Sequence, residues 1–142
     1  MDVAVNARRV SEPDYARLLA VRTRLRRFER WSAERAAQHG LTAVQHQLLL
    51  AIRGHNEPQG PSVGQVADYL LIRHNSAVEL IDRSERAGLI RRVRDADDHR
   101  AIRLRLTPAA FTTLEALSAD HLQELRDLGK LLHSLLADMA LS

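Results

Sequence analysis

Asp98-His99-Arg100 places an acid and a cation two residues apart, an arrangement suited to meeting a polyanion. The residues that follow set its context. Ile102, Leu104 and Leu106 alternate with Arg103 and Arg105, the period of a strand with one buried face and one cationic face. Thr107 can cap a helix whose first residue is Pro108, where a missing N–H costs nothing. The stretch reads as the tip and returning strand of a β-hairpin that runs straight into a helix. A short basic hairpin after helical patterns points to a wing, and a wing points to DNA. A wing-tip arginine such as Arg100 can enter a minor groove, where narrow A/T tracts concentrate negative potential. The plain alternative is a surface ion pair worth at most ~1 kcal/mol.

A second set of candidates lies upstream in Arg73, His74, Asn75, Ser76 and Glu79. Positions 75, 76 and 79 fall on nearly one face of a helix, while Ala77 and Ile81 turn inward. Asparagine can read adenine through two hydrogen bonds, and glutamate can accept from cytosine N4. Glu79 reads equally well as a solvated helix charge. Arg83 suits a phosphate or an acid on its own helix better than a base. Ser62, which opens the preceding short helix, completes the set. Arg91, Arg92 and Arg94 on the outgoing strand can simply be solvated. The cluster Arg22, Arg24, Arg26, Arg27 and Arg30 reads as the free face of a long helix.

The elements that must position these groups are legible in order. Ser11 to about His39 has helical periodicity, with Tyr15, Leu18, Leu19, Leu25 and Phe28 on one stripe and Gly40 as a stop. Thr42 and Gln45 have capping-box spacing and open a helix through Leu48, Leu49 and Ile52. His55 to Pro61 is a loop. Ser62 and Gln65 form a second capping box ahead of a short helix, and a tight connection at Leu71-Ile72 leads to a helix over about Arg73 to Ala87. Gly88 suits its C-terminus. The spacing then predicts a strand over 89–94, a tip over 95–99 and a strand over 101–106. From Pro108 onward, Leu114, Leu117, Leu125, Leu128, Leu132, Leu135 and Met139 repeat at helical steps, and Gly129 is expected to divide that segment. Two helices joined by a few residues, followed by a hairpin, form a helix-turn-helix with a wing.

Composition excludes several classes. At 142 residues and 45% hydrophobic, the chain can build one core and is not wholesale disordered. It has no cysteine, so disulfide scaffolds, thiolate metal sites and cysteine nucleophiles are excluded. No apolar run approaches a membrane span, and residues 1–12 lack the apolar core of a signal peptide, so the chain reads as cytoplasmic. The net charge of +3 is unevenly spread: residues 89–106 hold six arginines against three aspartates, while 107–142 are net −3. That suits a polyanion on one surface and another partner elsewhere. The seven histidines, at 39, 46, 55, 74, 99, 121 and 133, include no metal-binding spacing. With no phosphate loop and no nucleophile elbow, no enzyme, metal or cofactor is implied.

The chain resembles the MarR (multiple-antibiotic-resistance regulator) family of winged-helix transcription regulators. Four pieces carry the resemblance: Leu41-Thr42-x-x-Gln45-x-x-Leu48-Leu49; Val66-Ala67-x-x-Leu70; Ile81-Asp82-Arg83-x-Glu85-x-x-Gly88-Leu89-Ile90; and Asp95-x-x-Asp98-x-Arg100-x-x-x-Leu104-x-Leu106-Thr107. The chain departs from the family at Val78-Glu79, where arginine is frequent, at Ser84, often leucine, and at Ala110, often glycine.

The resemblance implies a mainly α fold with a small β-hairpin: one winged helix-turn-helix lobe over 41–107, flanked by dimerisation helices over 11–39 and 108–142. It implies a cytoplasmic homodimer on double-stranded DNA, acting as a repressor. In relatives an aspartate at the position of Asp98 orients the arginine at the position of Arg100. A small aromatic or phenolic effector is also implied, for which Phe28 and Trp31 are either pocket lining or ordinary core. Apolar stripes longer than one lobe requires support the dimer on physical grounds. A protein-interaction module that has lost DNA binding, favoured by Glu79, and a metal-responsive regulator are the alternatives.

Overall fold

In the computed structural model, which describes residues 9–137, seven elements follow one another: α1 (Glu12–Gln38), α2 (Ala43–Gly54), α3 (Val63–Leu70), α4 (His74–Arg86), β1 (Ile90–Arg94), β2 (Ile102–Leu106) and α5 (Pro108–Ala137). Arg8 and Met139 lie outside the described residues. Among the described residues no helix is long and apolar enough to cross a membrane.

Local chemistry accounts for most boundaries. Ser11 and Asp14 cap α1 reciprocally, Asp14 N–H donating to Ser11 Oγ at 3.3 Å and Ser11 N–H to Asp14 Oδ2 at 3.0 Å. Both predicted capping boxes form, Thr42 with Gln45 on α2 and Ser62 with Gln65 on α3. At the end of α4, Gly88 takes φ +75° and lets Leu89 N–H close on Ser84 O at 3.0 Å. The Thr107 hydroxyl donates to Gly88 O at 2.7 Å and accepts from Ala110 N–H at 3.3 Å, so one side chain both caps α5 and ties it to the end of α4. The strands pair antiparallel, with Ile90 opposite Leu106, Arg92 opposite Leu104 and Arg94 opposite Ile102.

Two boundaries depart from expectation. α5 runs unbroken through Gly129. A single exposed glycine costs a helix about 1 kcal/mol relative to alanine, too little to break one whose neighbour Leu128 is buried. Leu71 ends α3 in the left-handed region, φ +54°, a role usually taken by glycine.

The chain divides into two compact units, residues 32–121 and residues 1–31 with 122–142. The first holds the winged lobe, with a core of Leu48, Leu49, Val66, Leu80, Ile81, Ile90, Leu104 and Leu117. In the second, Arg24 pairs with Glu124 at 2.9 Å, Phe28 and Trp31 have ring centroids 6.0 Å apart, and Leu128 is buried. Tyr15, Leu18, Leu19, Leu122 and Leu125 stay exposed there despite their periodicity.

Two core positions carry measurable consequences. The Ser84 hydroxyl is fully buried on α4 with no hydrogen-bond partner. Removing an unsatisfied buried hydroxyl, and gaining alanine's helix propensity, makes Ser84→Ala stabilising by about 1 kcal/mol, seen as a melting temperature higher by about 4 °C. An unchanged or lower melting temperature would show that the hydroxyl is satisfied in solution.

His46, buried on α2, meets His121 of α5 edge-on with ring centroids 4.6 Å apart. His121 is fixed by Leu117 O at 2.8 Å from Nδ1 and Ser32 Oγ at 2.7 Å from Nε2. Burial first, and His121 second, hold the His46 imidazole below its ordinary value of 6.5. The unfolded chain therefore binds a proton before the folded one does, and stability falls as pH drops below about 6.5. Urea denaturation at pH 7.5 and 5.5 should show a smaller acid loss in His46→Gln than in the wild type. Equal losses would remove His46 as a source.

Candidate nucleic-acid interface

All the candidate DNA-contacting residues fall within the 32–121 unit. α4 is two-faced. Ala77, Leu80, Ile81 and Ser84 are buried, while Arg73, His74, Asn75, Ser76, Glu79, Arg83 and Arg86 are exposed. Ser76, Glu79, Arg83 and Arg86 follow one another at three- and four-residue steps, so a stripe of polar and cationic side chains runs the length of the helix. Ser62 is placed differently. It is half-buried and its hydroxyl accepts from Gln65 N–H at 3.2 Å, so it positions α3.

α4 does not stand alone. The Arg92 guanidinium on β1 reaches Asp82 and, at 2.7 Å, Glu85, both on α4, and its backbone N–H donates to Glu85 Oε2 at 3.1 Å. The hydrogen bond that Arg92 donates to Asp82 is the chief reason its guanidinium is held above its ordinary value. Arg92 is thus a brace between wing and helix, and the solvated role weighed for it does not apply.

The acid–arginine pair of the wing is Asp95 with Arg103. Asp95 is buried; its Oδ1 accepts from the N–H groups of Asp97 at 2.8 Å and Asp98 at 3.2 Å, and its Oδ2 from Arg103 Nε at 3.0 Å. The Asp97 amide first, then Arg103, hold the Asp95 carboxyl below the usual range. Arg103 also reaches Gln65 Oε1 at 3.4 Å and lies 3.9 Å from Glu57 Oε1. Glu57 in turn bonds His55 Nε2 at 3.2 Å, and His55 Nδ1 bonds Tyr69 Oη at 2.8 Å. A continuous polar chain therefore runs from Tyr69 on α3, through the 55–61 loop, to the wing tip.

Asp98 does something narrower than orient a guanidinium. Its Oδ1 accepts from the backbone N–H of Arg100 at 3.0 Å and shapes the tip. The Arg100 side chain is exposed and, among the described residues, has no hydrogen-bond or ion-pair partner. Strand alternation put Arg103 on the cationic outer face with Arg105. Only Arg105 is exposed, because Asp95 of the wing tip, Gln65 of α3 and Glu57 of the 55–61 loop surround Arg103. The signal missed in the sequence was the Asp95–Arg103 spacing, which brackets the predicted turn. Among the described residues no group of three potential metal ligands comes together.

α3, its turn, α4 and the β1–β2 wing define a winged helix-turn-helix protein. Residues 39–101 match the model of the MarR family. Over 92 residues the chain is 26% identical to the HTH-type transcriptional regulator PecS of Dickeya dadantii (strain 3937), an alignment covering 65% of this chain and 55% of that one. The chain thus spans about half the length of the curated relative it matches. In fold it is similar to a mutant of S. aureus MepR bound to an oligodeoxyribonucleotide (TM-score 0.66, 20% identity, 89% of this chain and 95% of that one). It is similar also to wild-type MarR from E. coli in its apo form (TM-score 0.62, 18% identity, 84% and 82%). Over residues 39–101 the chain is thus similar to the MarR family, and its fold is that of the MarR-type winged-helix structures.

Proposed function

We propose that the protein is a homodimeric, cytoplasmic transcription regulator, acting as a repressor on a near-palindromic DNA site. α4 lies in the major groove, and Arg100 enters the minor groove from the wing. Asn75, Ser76 and Glu79 meet base edges, while Arg73, His74 and Arg83 meet the backbone. One observation carries this reading: an exposed polar stripe on α4 and an unpaired arginine at the wing tip stand on one framework, locked by Arg92 and Arg103. Preorganised cationic and polar groups without protein partners are what a polyanion requires. The DNA-bound MepR fold supports the same reading.

The dimer is supported by the exposed apolar side chains of the 1–31 and 122–142 unit, which a second copy would cover. Two-fold symmetry would set the recognition helices roughly 34–36 Å apart, one DNA turn. Effector control by a small aromatic or phenolic compound follows the family pattern, with Phe28 and Trp31 as the paired rings available to it.

The test is fluorescence anisotropy on duplex from upstream of the protein's own gene. Expected is tight binding at low salt that weakens steeply as salt rises, with stoichiometry of two chains per site. No binding at low salt would sink the DNA reading and favour a protein-interaction module.

A further inference from the structure

The wing is anchored differently at its two ends. At its base Ile90 and Leu104 join the core, and Arg92 clamps β1 to α4. From Val93 to Arg100 the only buried residue is Asp95. Asp95 ties the tip in series: its Oδ1 takes the Asp97 and Asp98 amides, and Asp98 Oδ1 takes the Arg100 amide at 3.0 Å. Arg103 links Asp95 to the rest of the lobe, because Gln65 and Glu57 grip its guanidinium from the other side. The Glu57 carboxylate is itself fixed, by His55 Nε2 at 3.2 Å and Gln65 Nε2 at 3.5 Å. A carboxylate only accepts, so Nε2 carries the ring proton. In the neutral imidazole Nδ1 then accepts from the Tyr69 hydroxyl at 2.8 Å. The His55 side chain is only 3% exposed, and the Tyr69 ring meets it edge-on with centroids 5.8 Å apart. The imidazole is therefore held at both nitrogens.

We propose that Tyr69 and His55 are positioning residues for the wing tip: through Glu57 and Arg103 they set where Arg100 stands. The use of Arg100 against DNA rests on the function proposed above; the hold on the tip does not. Neither residue lies on α4 or the wing, so both act at a distance from the proposed contacts. The need for a polar link is physical. The tip buries no apolar side chain, so directional, charge-assisted hydrogen bonds are what can fix its position. Such a network depends on each member, because every bond orients the next. Without the Tyr69 hydroxyl the imidazole is free to turn and Glu57 loses its fixed donor. Arg103 then loses one side of its grip, and the tip loosens.

The first measurement needs no DNA: amide hydrogen exchange by NMR on the isotope-labelled full chain. In Tyr69→Phe and His55→Leu, exchange at Asp97, Asp98 and Arg100 should quicken about fivefold, the scale of one hydrogen bond. The buried amides of Leu80 and Ile81 should not change. His55→Gln, which keeps a donor for Glu57, should recover most of the protection. Tyr69→Phe retains the ring, so its melting temperature should stay near that of the wild type. The second measurement is anisotropy on the upstream duplex. Tyr69→Phe should weaken binding about fivefold in the wild-type background and not at all in Arg100→Ala. Unchanged exchange at the tip in both variants would overturn the proposal. So would an equal loss of affinity in the Arg100→Ala background, which would make Tyr69 a DNA contact itself. Faster tip exchange in a protein that binds no duplex would uphold the hold on the tip and sink only the DNA reading.

Discussion

Gly60→Ala should destabilise the protein by about 3 kcal/mol, a large share of a small domain's stability. Gly60 holds φ +89°, a conformation L side chains rarely adopt. A Cβ there would stand 2.1 Å from the carbonyl oxygen of Leu104, which is backbone and cannot rotate aside. Neither partner can retreat cheaply. The loop is tied to β2 by Leu104 N–H donating to Pro61 O at 2.9 Å, and β2 is held by its pairing with β1. The substitution therefore combines backbone strain with a lost hydrogen bond. It also pushes on the strand that carries Arg103, so the wing should loosen with the core. Urea denaturation measures the effect directly, and a loss below about 1 kcal/mol would show that the loop adapts.

Arg100→Ala should weaken duplex binding roughly tenfold to a hundredfold and lower the salt slope by about one. The side chain is exposed and unpartnered among the described residues, so its removal should leave the melting temperature unchanged. Arg103→Ala makes the informative contrast. Arg103 is bonded to Asp95 and Gln65, so its loss should lower the melting temperature as well as weaken binding. The two variants thus separate a group that touches DNA from one that holds the wing in place. Unchanged DNA affinity in Arg100→Ala would remove the wing tip from the interface.

Element order was legible because its signals are local. Capping boxes at Thr42–Gln45 and Ser62–Gln65, a stop at Gly88 and a cap at Thr107 each act within one turn of backbone, so residue type and spacing suffice. The buried stripe of α4 and the alternation of β2 follow from period alone. The exposed candidates on α4 were equally readable, since a face that is not apolar must face outward.

Partners were not legible, because periodicity assigns a face and says nothing of what covers it. Arg103 and Arg105 share one face of one strand, yet the first is enclosed by Asp95, Gln65 and Glu57 while the second is left without an acid. That difference comes from Asp95 at the wing tip, Gln65 on α3 and Glu57 in a loop nearly fifty residues upstream, all of which converge on Arg103. The same holds for Arg92, read as solvated and found clamped to Asp82 and Glu85. Local hydrogen bonding therefore set where helices and strands begin and end, and the residues from Asp98 to Pro108 announced a wing. Only the packing of helix, hairpin tip and loop around those arginines decided which of the wing's charges hold it together and which remain free to bind.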